Sequence, residues 1–440
     1  MRILILSLIL ICCNALVSAQ AINSSKLDQY FQSLGDNNKY MGSVSVFRNG
    51  SEIYTKSVGF ADVDNDIKAD NKTEYSIGSI SKTFTAVMIF QAVEAGKLSL
   101  SETIDTYFPS IENAEKITIA HLLGHRSGIH NFTSNGDFTN WQTQNKTKEQ
   151  MLEIIANGGS DFEPDSKALY SNSNYVLLSY ILESVYKKSY AEILSDKITK
   201  PLSLKNTYLR KKNTAGDPNN ECQSYKYFDR WRIEQKTSAS ITLGAGGIVS
   251  TPYDLNTFAD ALFDGKLVST ESLSIMQTIK DNYGMGLFAV PFYAKKGYGH
   301  SGGIDGFSSM LIYIPEDKVS YAITSNGSNY TLNDIHIAVL SCIYDLPFDV
   351  PNFQVINLNP EDLDKYTGVY SSSQLPIQLF IRKNGNALEG QGTGQQAFPL
   401  EATSEHIFKF LQGGIELEFN PEEKTMILKQ GGGTFYFKKE

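Results

Sequence analysis

Residues 78–96, GSISKTFTAVMIFQAVEAG, decide the fold that this 440-residue sequence predicts. From Ser79 to Ala95, apolar residues occupy most faces of the expected helix, and Gly96 suits its C-terminal end. A helix that is apolar on all sides belongs in the interior of a protein. Its first turn, which carries Ser79 and Lys82, is therefore predicted to be buried.

Ser79 and Lys82 have the spacing of a nucleophile and its base. Residues three apart share one face of a helix, and burial lowers the pKa of a lysine until it can accept a proton near neutral pH. The free N–H groups of a helix N-terminus also stabilise an oxyanion. A serine at a helix start is most often a cap, so that alternative stays open. The same spacing in residues 184–187 lies within a helical run, where the backbone donors are already used and a surface face is expected.

The stretch YSNSNY, residues 170–175, places Tyr170 and Asn172 just before a predicted helix. A tyrosine acts as a base only where a neighbouring cation lowers its pKa, and Lys82 would be that cation. Asn172 would then hydrogen-bond the lysine or an amide of the substrate. The alternative is a helix start with an asparagine cap and packed tyrosines.

The stretch YGHSGGIDGF, residues 298–307, places a histidine and three small residues at the start of a predicted strand. Small residues let a strand backbone approach a ligand closely, and the N–H of Gly303 would be an oxyanion donor. The alternative is a glycine-rich strand start without a ligand. The candidate binding residues here are His300, Ser301, Gly302 and Gly303.

The order of these motifs resembles one enzyme family, the serine β-lactamases and penicillin-recognising enzymes. It is most similar to the branch that contains class C β-lactamases, D-alanyl-D-alanine carboxypeptidases, D-aminopeptidases and esterases. The motifs that carry the resemblance are Ser79-x-x-Lys82, Tyr170-x-Asn172 and His300-x-Gly302. The phrases ITIAHLLGHRSGI (117–129) and GAGGIVSTPYDL (244–255) agree, and the resemblance covers residues 26–345.

The resemblance implies an acyl-enzyme mechanism and a role for each candidate residue. Ser79 would be acylated, and Lys82 and Tyr170 would exchange protons with it. The backbone amides of Ser79 and Gly303 would hold the oxyanion. The residues that would bind or orient the substrate are Asn172, His300, Ser301, Gly302 and Gly303.

Two positions depart from the family pattern. His300 stands where β-lactamases of this branch have a lysine, and a histidine is charged only part of the time near neutral pH. This departure counts against hydrolysis of β-lactam antibiotics. Asp165, within FEPDSKALYSN (162–172), stands where relatives often have glycine, which leaves the shape of that loop open.

The fold class that follows is α/β (α+β), an antiparallel sheet flanked by helices with an inserted helical subdomain. Residues 42–61 alternate apolar and polar around Asn49-Gly50, which predicts a hairpin, and strand patterns recur within residues 283–325. Strands at both ends of this region predict a sheet closed by distant segments. After residue 347, about eight short alternating strands predict a small antiparallel barrel, which resembles the lipocalin-like extension of some family members.

The predicted domains are a signal peptide, a hydrolase domain, a linker and an accessory barrel, at residues 1–19, 20–346, 347–361 and 362–440. The first segment has one arginine, an apolar run and small residues at its end, the pattern of a secretory signal. A secreted or periplasmic protein without a membrane span after cleavage is therefore predicted. The net charge of −9 and the scattered basic residues exclude a nucleic-acid-binding footprint.

No metal and no cofactor is predicted. His121, His125 and His130 lack the carboxylate pattern that would complete a metal site, and they are interpreted as packing and capping residues. Cys222 and Cys342 remain in the mature chain, and the sequence leaves open whether they pair.

These features predict an exported serine hydrolase that acts through an acyl-enzyme on D-amino-acid peptides of cell-wall type. Its partner would be a small-molecule or peptide substrate. An esterase or a weak β-lactamase is the alternative with the same chemistry. A non-catalytic ligand-binding protein on the same scaffold is the alternative in another class, and the presence of every acylation residue counts against it.

Overall fold

The computed structural model describes residues 22–210, 220–228, 230–356 and 358–440. The predicted signal peptide, residues 1–19, lies outside the described residues. The helices are α1 (Ser24–Asp36), α2 (Ser81–Glu94), α3 (Ile119–Leu123), α4 (Phe138–Trp141), α5 (Lys148–Gly158), α6 (Asn172–Tyr186), α7 (Tyr190–Leu194), α8 (Ala239–Gly246), α9 (Pro252–Phe263), α10 (Thr270–Gln277) and α11 (Leu332–Ile343).

The strands of the first 330 residues are β1 (Tyr40–Arg48), β2 (Ser51–Val58), β3 (Phe60–Asp62), β4 (Ile67–Lys68), β5 (Tyr75–Ser76), β6 (Tyr208–Leu209), β7 (Tyr225–Tyr227), β8 (Trp231–Ile233), β9 (Ile248–Ser250), β10 (Phe288–Phe292), β11 (Lys295–Ile304), β12 (Phe307–Ile314) and β13 (Val319–Ser328). The remaining strands are β14 (Gly368–Ser371), β15 (Gln378–Asn384), β16 (Ala387–Gly392), β17 (Phe398–Ala402), β18 (Ile407–Phe410), β19 (Ile415–Asn420), β20 (Thr425–Gln430) and β21 (Gly433–Lys439).

A six-stranded antiparallel sheet in the order β10-β11-β12-β13-β1-β2 forms the centre of the hydrolase region. It is closed by distant segments, because Tyr40 of β1 lies opposite Ser328 of β13. Asn49 and Gly50 have φ values of 52° and 76°, the left-handed pair that a two-residue hairpin between β1 and β2 requires. The predicted hairpin and the predicted closure of the sheet are confirmed.

Helices cover both faces of this sheet. On one face, Ile312 and Ile323 pack in a buried cluster with α1 and α11. On the other face, their neighbours Leu311 and Ala322 pack in a larger cluster with α2, α6 and α9. Successive strand residues point to opposite faces, so the sheet is buried on both sides.

The helix α2 lies within the larger cluster and follows a 3-10 turn at Gly78–Ile80. Every residue from Ser81 to Phe90 is buried. Phe84 stacks on Phe258 of α9, with ring centroids 3.8 Å apart. The prediction of a helix buried on all faces is confirmed, but α2 begins at Ser81, so Ser79 lies in the preceding 3-10 turn and is only partly buried.

The C-terminal strands β14 to β21 close into an eight-stranded antiparallel barrel, as predicted. Side chains that include Tyr366, Phe408 and Leu417 fill its interior. A barrel of eight strands is just wide enough to be filled in this way. The barrel is therefore a packed core of its own, and the exact domain boundaries stay a prediction.

Cys222 and Cys342 are both buried and both free, so the structure contains no disulfide between them. Cys222 packs beside Tyr75 and Phe307. Cys342 belongs to the separate cluster under α1 and α11. The pairing that the sequence left open is therefore not formed.

Candidate active site

The turn before α2 places Ser79 at the wall of a cleft. Gly78 has a left-handed φ of 50°, and a Cβ on this residue would lie 2.8 Å from the backbone nitrogen of Gly303. Only glycine permits the turn and strand β11 to come this close. Ser79 is partly buried, and the backbone of Gly303 lies beside the turn that carries it.

Lys82 lies one turn into the helix, with none of its side chain exposed. Its Nζ lies 3.1 Å from Ser79 Oγ, 2.8 Å from Asn172 Oδ1 and 2.6 Å from the carbonyl oxygen of Ala245. Burial lowers the pKa of Lys82 well below its ordinary value. The structure thus brings the predicted serine and lysine together, and burial disfavours the protonated form of the lysine.

Tyr170 reaches the same pair from the loop before α6. Its phenol is hydrogen-bonded to Ser79, and Lys82 Nζ lies 4.8 Å from the centroid of its ring. Burial raises the pKa of Tyr170 far above its ordinary value, although the hydrogen bond to Ser79 opposes this. The expectation that Lys82 lowers this pKa is wrong, because lost hydration outweighs the influence of an amine that is itself buried. Tyr170 is therefore a neutral phenol.

His125 and Arg126 fix the loop that carries Tyr170. The ring of His125 packs on the ring of Tyr170 with 4.4 Å between centroids, and its Nδ1 accepts the N–H of Ser171 at 3.2 Å. Asp165 has a left-handed φ of 62° and forms an ion pair with Arg126. A left-handed backbone is where glycine is ordinarily favoured, and here the arginine holds an aspartate in that conformation instead.

The three histidines near residue 125 have the structural roles that the sequence predicts. His121 forms a capping box at the start of α3, where its Nδ1 accepts the N–H of Thr118 at 3.2 Å. His130 Nδ1 lies 2.9 Å from Asp161 Oδ1. Throughout the described ranges, no group of three or more His, Cys, Asp or Glu side chains is arranged to hold a metal ion.

Asn172 begins α6 and is held by three hydrogen bonds. Its Oδ1 accepts from Lys82 Nζ, its Nδ2 donates to Thr133 Oγ1 at 3.0 Å, and its backbone N–H donates to Asn131 Oδ1 at 3.0 Å. The alternative of an asparagine cap is wrong, because Ser171 occupies the N-cap position. Asn172 thus orients the lysine, and its amide plane is fixed.

Strand β11 brings residues 300–303 beside the turn before α2. A Cβ on Gly302 would lie 2.0 Å from the carbonyl oxygen of Ile77, so a larger residue would push the strand away. His300 is 4 % exposed, and its ring packs edge-on against Phe288 with 4.5 Å between centroids. Burial, and secondarily the nearby lysine amine, lower the pKa of His300 to about 3. The expectation of a partial charge near neutral pH is wrong, because this histidine is neutral there.

A cleft of about 390 Å³ opens beside Ser79. Gly303 belongs to its described lining, whereas residues 300–302 do not, so their role in binding substrate stays a prediction. The lining combines apolar side chains with charged ones, namely Phe132, Phe138, Lys226, Glu234 and Asp305. A cleft of this size and mixed lining suits a small substrate.

Sequence reasoning did not identify the carbonyl of Ala245 as a partner of Lys82, because a backbone acceptor leaves no side-chain signal. The glycine-rich run at residues 244–247 was the available signal for close backbone packing. The carbonyl of Gly244 indeed accepts from Thr85 Oγ1 of α2 at 2.8 Å. Other polar residues of the site lie in no motif, namely Asn131, Thr133, Lys226 and Glu234, and Asp305 lies within the quoted stretch 298–307 without having been singled out.

The geometry supports nucleophilic attack on a carbonyl group. Ser79 Oγ has an amine of lowered pKa on one side and a neutral phenol on the other. A hydroxyl needs such a base to become a nucleophile, and the attacked carbonyl needs donors for its developing charge. The backbone nitrogen of Gly303 lies beside the turn that carries Ser79, and the oxyanion role of these two amides stays a prediction.

Comparisons with known proteins agree with this geometry. The family model for beta-lactamase matches residues 27–339. Over 429 residues the chain is 26% identical to penicillin-binding protein 4* of Bacillus subtilis (strain 168), covering 91% of this chain and 90% of that protein. Over 318 residues it is 26% identical to teichoic acid D-alanine hydrolase of Staphylococcus aureus (strain MRSA252), covering 69% and 74% respectively. The crystal structure of D-amino acid amidase from Ochrobactrum anthropi SV3 complexed with L-phenylalanine amide superposes with a TM-score of 0.65 at 25% identity, covering 73% of this chain and 99% of that one.

Proposed function

This chain belongs to the beta-lactamase family, and from that premise we propose that it hydrolyses D-amino-acid amides and peptides of cell-wall type through an acyl-enzyme on Ser79. The fold is that of a serine β-lactamase-type hydrolase related to D-amino acid amidases and D-alanine hydrolases. The substrate class and the roles of the individual residues are the proposal.

One observation carries the proposal: an enclosed amine, Lys82 Nζ, lies 3.1 Å from Ser79 Oγ. A neutral amine has two N–H donors and one lone pair. In that state Nζ donates to Asn172 Oδ1 and to the carbonyl of Ala245, which leaves its lone pair for the Ser79 hydroxyl proton. The surroundings of Lys82 therefore favour its action as a general base.

Acylation begins when Ser79 Oγ attacks the carbonyl carbon of the substrate. The hydroxyl proton passes to Lys82 Nζ, a carbon–oxygen bond forms, and the carbonyl π electrons move to its oxygen. The backbone N–H groups of Ser79 and Gly303 would donate to this oxyanion. These donors are fixed by the turn and the strand, so they need no rearrangement as the charge develops.

The leaving group departs with a proton from Tyr170. As the carbon–nitrogen bond breaks, the neutral phenol donates its proton to the leaving nitrogen and regains one from the Lys82 ammonium. The balance is an acyl group on Ser79 and a free amine. Water then attacks the acyl carbon and gives a proton to Lys82. As the ester carbon–oxygen bond breaks, Lys82 returns this proton to Ser79 Oγ and the acyl group leaves as a carboxylic acid.

The test is a panel of substrates with two readouts. A D-alanyl-D-alanine peptide, a D-amino-acid amide, p-nitrophenyl acetate and nitrocefin are each offered to the wild type and to Ser79→Ala, with turnover and intact protein mass measured. We expect turnover of the D-amino-acid substrates and a transient mass increase equal to the acyl group, both absent in Ser79→Ala. Equal turnover by the two proteins would end the proposal.

The alternatives predict other outcomes of the same panel. Turnover of nitrocefin without turnover of the peptides would favour a weak β-lactamase, and turnover of p-nitrophenyl acetate alone would favour an esterase. A non-catalytic ligand-binding protein would show no turnover and no covalent labelling by a fluorophosphonate or a penicillin probe. The neutral state of His300 counts against the β-lactamase, since it supplies no fixed cation for a β-lactam carboxylate.

We propose export for the same chain, with residues 1–19 as the signal, residues 20–346 as the hydrolase domain and residues 362–440 as an accessory barrel. Within the part of the chain that the structure describes, no helix is long and apolar enough to cross a membrane. Mass measurement of the protein purified from culture medium or periplasm, with Gln20 as the expected N-terminus, tests the export proposal.

A further inference from the structure

We infer that this cleft selects substrates whose leaving group is uncharged: amides and esters of D-amino acids, rather than peptides that end in a carboxylate next to the scissile bond. The inference rests on the proposed function, since it concerns the same serine and the same cleft. It narrows the proposed substrates to those whose hydrolysis does not release a free C-terminal amino acid.

The first observation is the pairing of the lysine in the cleft. Among the described lining residues, Lys226 is the basic one, and its Nζ lies 3.0 Å from Glu234 Oε1. Lys226 lies in β7 and Glu234 directly follows β8, and both line the cleft. The pair as a whole carries no net charge. Lys226 is half-exposed and keeps further N–H donors, so a substrate carboxylate that pairs with it also lies close to the Glu234 carboxylate, which repels it.

The second observation is a further carboxylate in the lining. Asp305 accepts the N–H of Thr237 at 3.0 Å and its hydroxyl at 2.6 Å. Burial raises the pKa of Asp305, and the hydrogen bonds from Thr237 and, to a smaller extent, the charge of Arg210 oppose this rise. Arg210 is 5 % exposed and donates to Ser76 Oγ and to the carbonyl oxygen of Thr237. The charge of Arg210 is thus committed to the protein's own oxygens.

The third observation concerns the two bases behind the cleft wall. Lys82 is fully enclosed, and its three hydrogen-bond partners belong to the protein. His300 packs against Phe288 and lies outside the described lining. Burial disfavours the charged form of Lys82 and lowers the pKa of His300 to about 3. With one base enclosed and the other outside the lining, neither is placed to pair with a substrate carboxylate.

The consequence follows from the cost of desolvation. A carboxylate that enters such a cleft loses hydration, and the described lining offers it one cation that is already paired, beside two carboxylates, which makes its entry costly. An amide or ester group requires only ordinary hydrogen bonds in the same place. A peptide with a free C-terminal carboxylate should therefore react more slowly than the same peptide with an amidated terminus.

The test compares two peptides cut at the same bond, N-acetyl-D-alanyl-D-alanine and its C-terminal amide. Release of D-alanine or of D-alaninamide is followed by mass spectrometry, and kcat/KM is determined for each with the full-length wild type. We expect kcat/KM for the amide to exceed that for the acid by about tenfold or more, because the described lining holds two carboxylates and one cation.

A matched pair of variants tests the cause of the preference. Glu234→Gln leaves Lys226 without its carboxylate partner, so the ratio of kcat/KM for the acid over the amide should rise by about fivefold or more. The control is Glu316→Gln, which removes a carboxylate from Lys295 at the opposite end of β11. This control should keep the wild-type ratio.

The outcomes separate the inference from the proposed function. A wild type that cuts the acid as fast as the amide, or faster, overturns the inference, and the proposed function stands if Ser79→Ala loses both activities. If Ser79→Ala cuts both peptides as fast as the wild type does, the proposed function falls and the inference falls with it. If the Glu234→Gln variant does not fold, the wild-type ratio of kcat/KM for the acid over the amide alone decides whether the inference holds.

Discussion

Two stretches of this chain share the S-x-x-K spacing in different surroundings. Ser79 and Lys82 span the start of α2, where the lysine is fully enclosed and its Nζ lies 3.1 Å from the serine Oγ. Ser184 and Lys187 span the end of α6, where the lysine is exposed and occupies the C-cap with a φ of 52°. The same residue types at the same spacing thus lie at the start of one helix and at the end of another.

The difference shows that hydration and helix polarity, rather than spacing, give the motif its chemistry. At a helix start the backbone N–H groups are free and carry partial positive charge, which favours an oxyanion. At a helix end the free groups are carbonyls, which oppose one. Burial disfavours the charged form of a lysine and lowers the pKa of Lys82, whereas Lys187 is exposed.

The largest expected effect separates the two serines. Ser79→Ala should lower kcat for a D-amino-acid amide by about a thousandfold or more, because the attacking oxygen is removed. Ser184→Ala should keep activity within about twofold, as expected for a substitution away from the site. Steady-state kinetics of both variants with one substrate would check this, and a comparable loss in Ser184→Ala would remove the distinction between the two motifs.

Substitutions of the two lysines should differ almost as strongly in their effect on kcat. Lys82→Met removes the general base, and kcat should fall by about a hundredfold to ten-thousandfold. Lys187→Met should leave kcat and KM near their wild-type values, since Lys187 is exposed at a helix end. Both variants are assayed together with thermal unfolding, which separates loss of chemistry from loss of fold. Full activity in a folded Lys82→Met protein would rule out the lysine as base.

The pH dependence of stability should also distinguish Lys82. Burial places its folded-state pKa well below its ordinary value, so between these two values the unfolded chain binds one proton more than the folded chain. Stability of the wild type relative to Lys82→Met should therefore rise with pH in this window, by up to about 1.4 kcal/mol per pH unit.

Urea denaturation of wild type and Lys82→Met across about pH 7 to pH 10 measures this difference. The rise should end above the ordinary lysine pKa, where both states are neutral. A difference that stays constant with pH would show that Lys82 titrates normally in the folded protein.

The smallest expected effect concerns the helix end. Lys187 holds a left-handed backbone conformation that glycine adopts without strain, so Lys187→Gly should raise the free energy of unfolding by about 0.5–1 kcal/mol. Urea denaturation at neutral pH is sufficient to detect it. Destabilisation by this substitution would indicate that the lysine side chain, and not the backbone, matters at the end of α6.

Patterns of neighbouring residues predicted most of the fold. The apolar faces of α2, the hairpin at Asn49-Gly50 and the alternation of the barrel strands each follow from local rules, and all three are present. The part of the site that was predictable consists of the side chains that lie within sequence motifs. Ser79, Lys82, Tyr170 and Asn172 indeed meet in the structure.

What the sequence did not predict depends on long-range packing. The pKa of Tyr170 is raised and that of His300 is lowered because segments far apart in the chain exclude water from both. The carbonyl of Ala245 contributes only its backbone. Glu234 and Lys226 line the cleft because the β7–β8 hairpin lies beside it in the folded protein. No spacing between motifs in the sequence predicts the position of this hairpin.

The enclosure of Lys82 has a consequence for chemical selectivity. Loss of its proton makes this amine a better nucleophile than the protonated lysines of the surface, yet none of it is exposed to reagents in solution. The same packing that heightens its reactivity also shields it. Amine-directed electrophiles should therefore modify the surface lysines first, and a covalent inhibitor aimed at this amine must be delivered by a molecule that first occupies the neighbouring serine's cleft.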